Sequence, residues 1–317
     1  MMETSMVFTY PDALIWDWRV AIDLFFGGMG VGAFLFALLL DWRYEGKFKR
    51  ICQTGAYLAP LFVVIGLIFL MAKMGRPMAI YLTFTAFAPS SPLWWGGIFQ
   101  TLFVVGTLIY ARHWMNPDQN LAGRRRLGWA LLPVALIVGA YHGFLLGIFQ
   151  TRPLWSTGPT VVAAVLGFVT TGIAAILLIH LIRMKWAGRL TQTAWVNEFL
   201  SEIRQVRMIL GLALVFQVFT FFIWWVSLSY GGLDAQAALT AANAAYGPLF
   251  WFVGIGLGLI LPLLLGGYTV FQGNRAGLGL ELNMIWITSV LILIGGFVFR
   301  LAVVLGGQIT QPIGTLS

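Results

Sequence analysis

Asp23, Tyr141, His142 and Arg300 interrupt stretches that are otherwise aliphatic, aromatic or glycine. A carboxylate or guanidinium in such a setting costs several kcal/mol unless it is paired or hydrated, so it faces protein and by default marks a functional path. A carboxylate takes up a proton, a phenol both donates and accepts a hydrogen bond, and an imidazole titrates near neutrality. These side-chain types suit proton transfer. The competing reading is a buried Asp23–Arg300 or Asp23–Lys73 pair that only fixes helix packing.

The elements that must position them are long. Apolar runs of about 20 residues, the length that crosses a bilayer, lie near 17–41, 52–72, 93–113, 127–150, 159–183, 205–228, 246–270 and 283–306. With 60% hydrophobic and 9% charged residues, the composition excludes a soluble globular domain, in which about a quarter of residues are charged. The expected fold is an all-α integral membrane protein with eight transmembrane helices, a single polytopic domain over 1–317. The segment before Arg19 holds Glu3, Asp12 and Asp17 but no Lys or Arg. It lacks the basic start of a secretory signal peptide, so the first helix is expected to stay as a span. The lone Cys52 excludes an intramolecular disulfide and an all-cysteine iron–sulfur or zinc site within the protein.

Lys and Arg concentrate after the first, third, fifth and seventh helices, among them Arg43, Lys47, Lys49, Arg50, Arg124, Arg125, Arg126, Arg183, Lys185, Arg204 and Arg207. Cytoplasmic loops keep such residues in excess, which places both termini on the extracytoplasmic side. The net charge of +8 is then a topology signal. Arg124–Arg126 reads as an inside anchor, and no nucleic-acid partner is expected.

Depth, counted at about 1.5 Å per residue, gathers the polar groups toward the outer face. Asp23 lies early in the first helix, Tyr141 and His142 late in the fourth, and Arg300 late in the eighth. Lys73, Arg76, Trp94, Trp95, Arg152 and Gln308 fall on that face too. Arg19, Arg76 and Arg152 equally suit basic residues snorkelling at helix ends, and Trp94, Trp95 and Trp155 an aromatic belt. The glycines of Gly27–Gly32, Gly254–Gly258 and Gly295–Gly296 read as close-packing devices. They lack the strand-turn-helix context of a dinucleotide loop; the alternative at Gly27–Gly32 is room for a flat ligand beside Asp23. A b-type haem would need His113 and His180 as axial ligands. Both stand at helix borders beside basic residues, so no haem is expected.

Several segments together resemble a known family. Tyr141-His142-Gly143, continuing to Thr151-Arg152-Pro153-Leu154-Trp155, is similar to the "YTG…RPLW" signature of the NrfD/PsrC family of polysulfide reductase-type membrane subunits. Gly75-Arg76-Pro77 with Ser91-Pro92-Leu93-Trp94-Trp95-Gly96 resembles its "GRP…SPMSWG". Gly295-Gly296-Phe297 to Arg300, ending in Gly307-Gln308, resembles "GGFLLR…GQ", and Gly27-Gly28 with Gly32-Ala33-Phe34 the first-helix "GG…GAF". The segments follow the family's order along nearly the whole sequence. Lys73 stands where that family often has an acidic residue, and His142 where it has Thr.

The resemblance implies two four-helix bundles in a bacterial or archaeal cytoplasmic membrane, with a quinone or quinol site, menaquinone or ubiquinone, near the outer face. It implies a docked ferredoxin-like iron–sulfur subunit that serves a molybdopterin catalytic subunit on the extracytoplasmic face. The protein would then be the quinone-reactive part of an oxidoreductase, with neither haem nor iron–sulfur cluster of its own, and proton movement coupled to turnover is compatible with it. Asp23 is the expected proton acceptor and Tyr141 the group on the other quinone oxygen. Trp94 flanks the ring, His142 relays protons, and Arg76, Arg152 and Arg300 complete the site. A secondary transporter or proton channel, and a haem b anchor, are the alternatives from other classes; a transporter should show broken helices near the midplane and an inverted repeat.

Overall fold

The computed structural model describes residues 16–73, 80–118, 121–149, 151–188, 193–272 and 278–309. The helices are α1 (Trp18–Arg43), α2 (Lys49–Lys73), one-turn α3 (Leu82–Thr85), α4 (Pro92–His113), α5 (Leu121–Gly147), one-turn α6 (Pro153–Ser156), α7 (Gly158–Trp186) and α8 (Thr193–Ser229). Then α9 (Leu233–Gly247) runs through a π-helical segment (Pro248–Ile260) into α10 (Leu261–Gln272), followed by α11 (Leu278–Gly306). The described residues include eight helical stretches long and apolar enough to cross a membrane, and no strand.

The differences from the hydropathy reading have physical causes. The seventh span, expected over 246–270, begins at Leu233 and forms a continuous 40-residue run. Its first part is alanine-rich, which favours helix strongly but scores as only weakly apolar. The eighth helical element likewise starts at Thr193 instead of 205 and carries Glu202, Arg204 and Arg207 in helix. Within the seventh span, Pro248 lacks the N–H of an ordinary helical turn, and Gly254, Gly256 and Gly258 soften the backbone that follows.

Helix α1 is the hub: it packs against α2, α5, α7 and α11, and 78% of its most apolar window is buried. Its small residues make this possible. A Cβ on Gly28 or Gly32 would run into Phe168 of α7, and one on Gly30 would lie 2.7 Å from the Ala59 carbonyl of α2. Gly258 and Gly295 meet backbone to backbone between the π-helical segment and α11. The slot beside Gly27–Gly32 is filled by Phe168 and His142, which leaves no space for a flat ligand there. Outward-facing Leu102, Ile109, Phe216, Phe219, Phe222 and Leu264 are exposed, as befits helices whose outer surface meets hydrocarbon.

Polar contacts tie the two ends. At one end Asp17 caps α1, its Oδ1 accepting from the Arg19 backbone N–H at 2.9 Å, and pairs with Arg19 at 2.8 Å and Lys73 at 3.4 Å. Arg19 also donates to the Ala72 carbonyl at 2.9 Å. Gln308 beyond α11 donates to the Trp16 carbonyl at 2.7 Å and accepts from its N–H at 2.9 Å. Partial burial pushes the Asp17 carboxyl up, but its hydrogen bonds with Arg19 and the charges of Lys73 and Arg19 outweigh this and hold it below its ordinary value of 3.8. At the other end Arg124 grips Asp41 with two hydrogen bonds, 2.9 and 3.2 Å, both side chains being 1% exposed. The guanidinium lies 3.8 Å over the Trp114 ring and donates to the Pro117 carbonyl at 2.6 Å. Arg124, read from sequence as part of an inside anchor, is thus also a buried tie between α1 and α5.

Candidate functional site

Asp23 sits on the second turn of α1, 0% exposed, against α2 where Gly66 makes room: a Cβ there would lie 2.9 Å from Asp23 Oδ1. Neither carboxylate oxygen has a hydrogen-bond partner among the described residues. Buried polar groups are nearly always satisfied, and each exception calls for an explanation. The two ion pairs entertained from sequence are not formed among the described residues. Lys73 is drawn to Asp17 at 3.4 Å. Arg300 spends one nitrogen on the Gly296 carbonyl at 2.7 Å, lies over the Phe25 and Phe168 rings at 5.5 and 5.1 Å, and leaves Nη2 unpartnered.

Helix α5 supplies the neighbours. Tyr141 is half-buried and packs on the cluster that includes Val20, Ala21 and Leu24 of α1. Its ring and hydroxyl lie on Gly96 of α4, where a Cβ would collide with them. Adjacent His142 points elsewhere, fully buried against Gly27, one turn after Asp23. The Val138 carbonyl can only accept, so His142 Nδ1–H donates to it at 2.7 Å. That leaves Nε2 of the neutral ring as the acceptor for Gln100 Nε2–H at 3.2 Å. Both ring nitrogens are engaged, and the imidazole is oriented rather than free.

Gln100, 2% exposed in α4, was missed in the sequence reading. Its signal was available: an amide inside an apolar span faces protein and finds a partner. Beyond His142 a small cavity of about 30 Å³ is bounded by Thr160, Phe168, Trp224 and Arg300 among others. It has room for a water or two, not for a ring.

Two further expected site residues are held by contacts of their own. Trp94 joins an aromatic cluster with Trp95 at 4.8 Å and Phe87 at 5.3 Å at the start of α4. Arg152, buried after α5, donates to the Gly307 carbonyl at 3.2 Å and so ties this loop to the end of α11. Arg76 lies outside the described residues. The structure thus brings together Asp23, Tyr141 and His142 at the Asp17 end, adds Gln100, and sets Arg300 across the small cavity from His142.

A family model described as polysulphide reductase, NrfD, matches residues 6–312. The protein belongs to this NrfD family. Among its relatives, a polysulfide reductase component from Wolinella succinogenes is 26% identical over 94% of this sequence and 95% of its own length. Protein NrfD of Escherichia coli K12 is 26% identical over 80% of this sequence and 85% of its own. A selenate reductase component from Mesobacillus selenatarsenatis is 22% identical over 92% and 76%. Family membership together with eight apolar helices makes this a multi-pass protein of the cytoplasmic membrane, related to subunits of reductase complexes.

Proposed function

We propose that this NrfD-family protein is the quinone- or quinol-binding membrane subunit of a respiratory oxidoreductase, with Asp23 and Tyr141 at the quinone head. The observation that carries this reading is the Asp23 carboxylate: fully buried, with no hydrogen-bond partner on either oxygen among the described residues, while the half-buried Tyr141 packs on the same stretch of α1. The donor set suits a ligand with two oxygens that alternate between acceptor and donor. Carboxyl and phenol can each take either part. The 30 Å³ cavity beside Arg300 is too small for the ring, so the head is assigned to the accessible Tyr141 side.

A quinone supplies two-electron, two-proton redox chemistry when bound. The protein's part is to hold the head and to move protons. Asp23 takes or returns a proton at a carboxylate oxygen. Tyr141 donates its hydroxyl proton in a hydrogen bond or accepts one at the same oxygen. The His142–Gln100 pair and Gly27 wall the opposite side.

The charge bias of the connections supports an orientation with both termini extracytoplasmic, so that the Asp17 end and the quinone site face outward. Relatives named as components of polysulfide and selenate reductases support partner subunits: an iron–sulfur protein docked at the outer face and, through it, a molybdopterin catalytic subunit. The seventh span is π-helical in part but unbroken, which speaks against the discontinuous helix of a transporter site.

The test is a titration of the purified complex with a fluorescent quinol-site inhibitor. Saturable binding relieved by added quinol is the expected result. Absence of saturable binding to folded complex, with substrate flux in liposomes made from this protein alone, would overturn the reading in favour of transport.

A further inference from the structure

At the opposite end from the quinone site, α8, α10 and α11 separate and leave a laterally open groove of about 800 Å³. We infer that this groove is a binding site for one anionic glycerophospholipid of the leaflet at the Asp41 end. Its size is that of a ligand pocket, and it is amphipathic along its length. Tyr44, Gln205 and Arg207 line one end, while the walls beyond are apolar, including Leu212, Val215 and Leu263. From Arg207 to Val215 the helix rises about 12 Å, most of one leaflet's share of a hydrocarbon core of about 30 Å.

The groove is kept open by its glycines. Glycines elsewhere in the bundle, such as Gly28, Gly32, Gly258 and Gly295, sit where a side chain would collide with a neighbouring helix. Gly211, Gly266 and Gly267 line the groove, and a Cβ on any of them would meet nothing within 4 Å. Close helix packing therefore does not explain them, whereas depth for an acyl tail does.

The polar rim carries the matching charge. Arg207 and Arg204 lie one turn apart on α8, Lys47 Nζ is 3.5 Å from Gln205 Oε1, and Arg43 lies 5.4 Å over the Tyr44 ring. Asp41 is paired with Arg124, and Glu45, Glu198, Glu202 and Glu281 are the other acids on these elements, Glu281 lying within electrostatic reach of Arg207; the positive excess belongs to this end as a whole, where Lys49, Arg50, Arg125, Arg126, Arg183 and Lys185 add to Arg43, Lys47, Arg204 and Arg207. Basic pockets between helices on the cytoplasmic side are suited to anionic headgroups, and the phosphate of a diacyl lipid joins that chemistry to two tails for the apolar walls.

The experiment is native mass spectrometry of the purified full-length protein in non-ionic detergent. Phosphatidylglycerol or phosphatidylcholine of the same acyl length is added, and thermal unfolding serves as the fold check. Wild type should retain one phosphatidylglycerol in clear preference to phosphatidylcholine. Gly211→Leu and Gly266→Leu should lose the retained lipid while keeping the fold, since their added atoms enter open space. Arg207→Gln should lower the phosphatidylglycerol preference about fivefold, the worth of one basic group near an anionic lipid. Equal retention of both lipids, retention undiminished in the folded leucine variants, or release of an isoprenoid quinone in place of a phospholipid would each overturn the assignment. If Arg207→Gln fails to fold, the two leucine variants still decide.

Discussion

Replacing Asp23 by Asn separates a ligand-directed carboxylate from a structural one. In a structural ion pair, loss of one partner strands the other and costs about 3–5 kcal/mol. Here no partner is stranded, because neither Asp23 oxygen is hydrogen-bonded and the side chain merely rests on Gly66. The amide is nearly the same size, so the fold should be unharmed, and removing an unsatisfied buried acid should leave the unfolding temperature unchanged or raise it. Ligand binding should respond in the opposite sense. A hydrogen bond to a charged group contributes about 1.5–3 kcal/mol, which corresponds to roughly ten- to a hundredfold in Kd. The assay is inhibitor fluorescence titration and thermal unfolding of wild type and Asp23→Asn in one detergent. A variant that melts several degrees lower yet binds the inhibitor with wild-type affinity would refute the reasoning and make Asp23 a packing residue.

Further outcomes follow from the same geometry. Tyr141→Phe keeps the ring on Gly96 and removes only the hydroxyl, so inhibitor affinity should fall by about two- to tenfold, the worth of one neutral hydrogen bond; Gly96→Ala, which displaces the ring itself, should cost more in the same titration. Gly27→Ala drives a methyl into His142, and the loss of the His142–Gln100 contact should appear as a shifted imidazole resonance together with weakened inhibitor binding. Arg124→Met leaves Asp41 charged and alone at 1% exposure and should destabilise the protein by about 3–5 kcal/mol, with partial recovery in the double variant Asp41→Leu/Arg124→Met. Asp17→Asn retains the helix cap but not the charge. Because the folded carboxyl lies below 3.8, its contribution is complete above that pH and lost as pH falls through the folded value. Wild type should therefore melt above the variant at pH 7, with the gap closing below about pH 4.

The eight spans were legible in the sequence because hydrocarbon forces every backbone group to be satisfied within its own helix, so a local apolar run is enough to declare one. The charge bias, the glycine-rich faces and the polar residues Asp23, Tyr141 and His142 were readable for the same reason: each stands out against an apolar background. What hydropathy misjudged was local too. The alanine-rich Leu233–Gly247 is helical without being strongly apolar, and Thr193 starts a helix well before its apolar part.

Partnerships were decided only in three dimensions. Residue type shows that a buried charge needs a partner, not which helix brings it. Arg124 was one of three arginines in an inside anchor, and only the fold laid it on Asp41, 83 positions away in the sequence. Lys73, placed by depth beside Asp23, turned instead to Asp17. Among the described residues Asp23 has no hydrogen-bond partner, because α1 faces it onto Gly66 while Phe25 and Phe168 occupy the guanidinium of Arg300. Helix phase and the direction in which each side chain leaves its helix set these outcomes, and both depend on how neighbouring helices pack, a property that no single stretch of sequence contains.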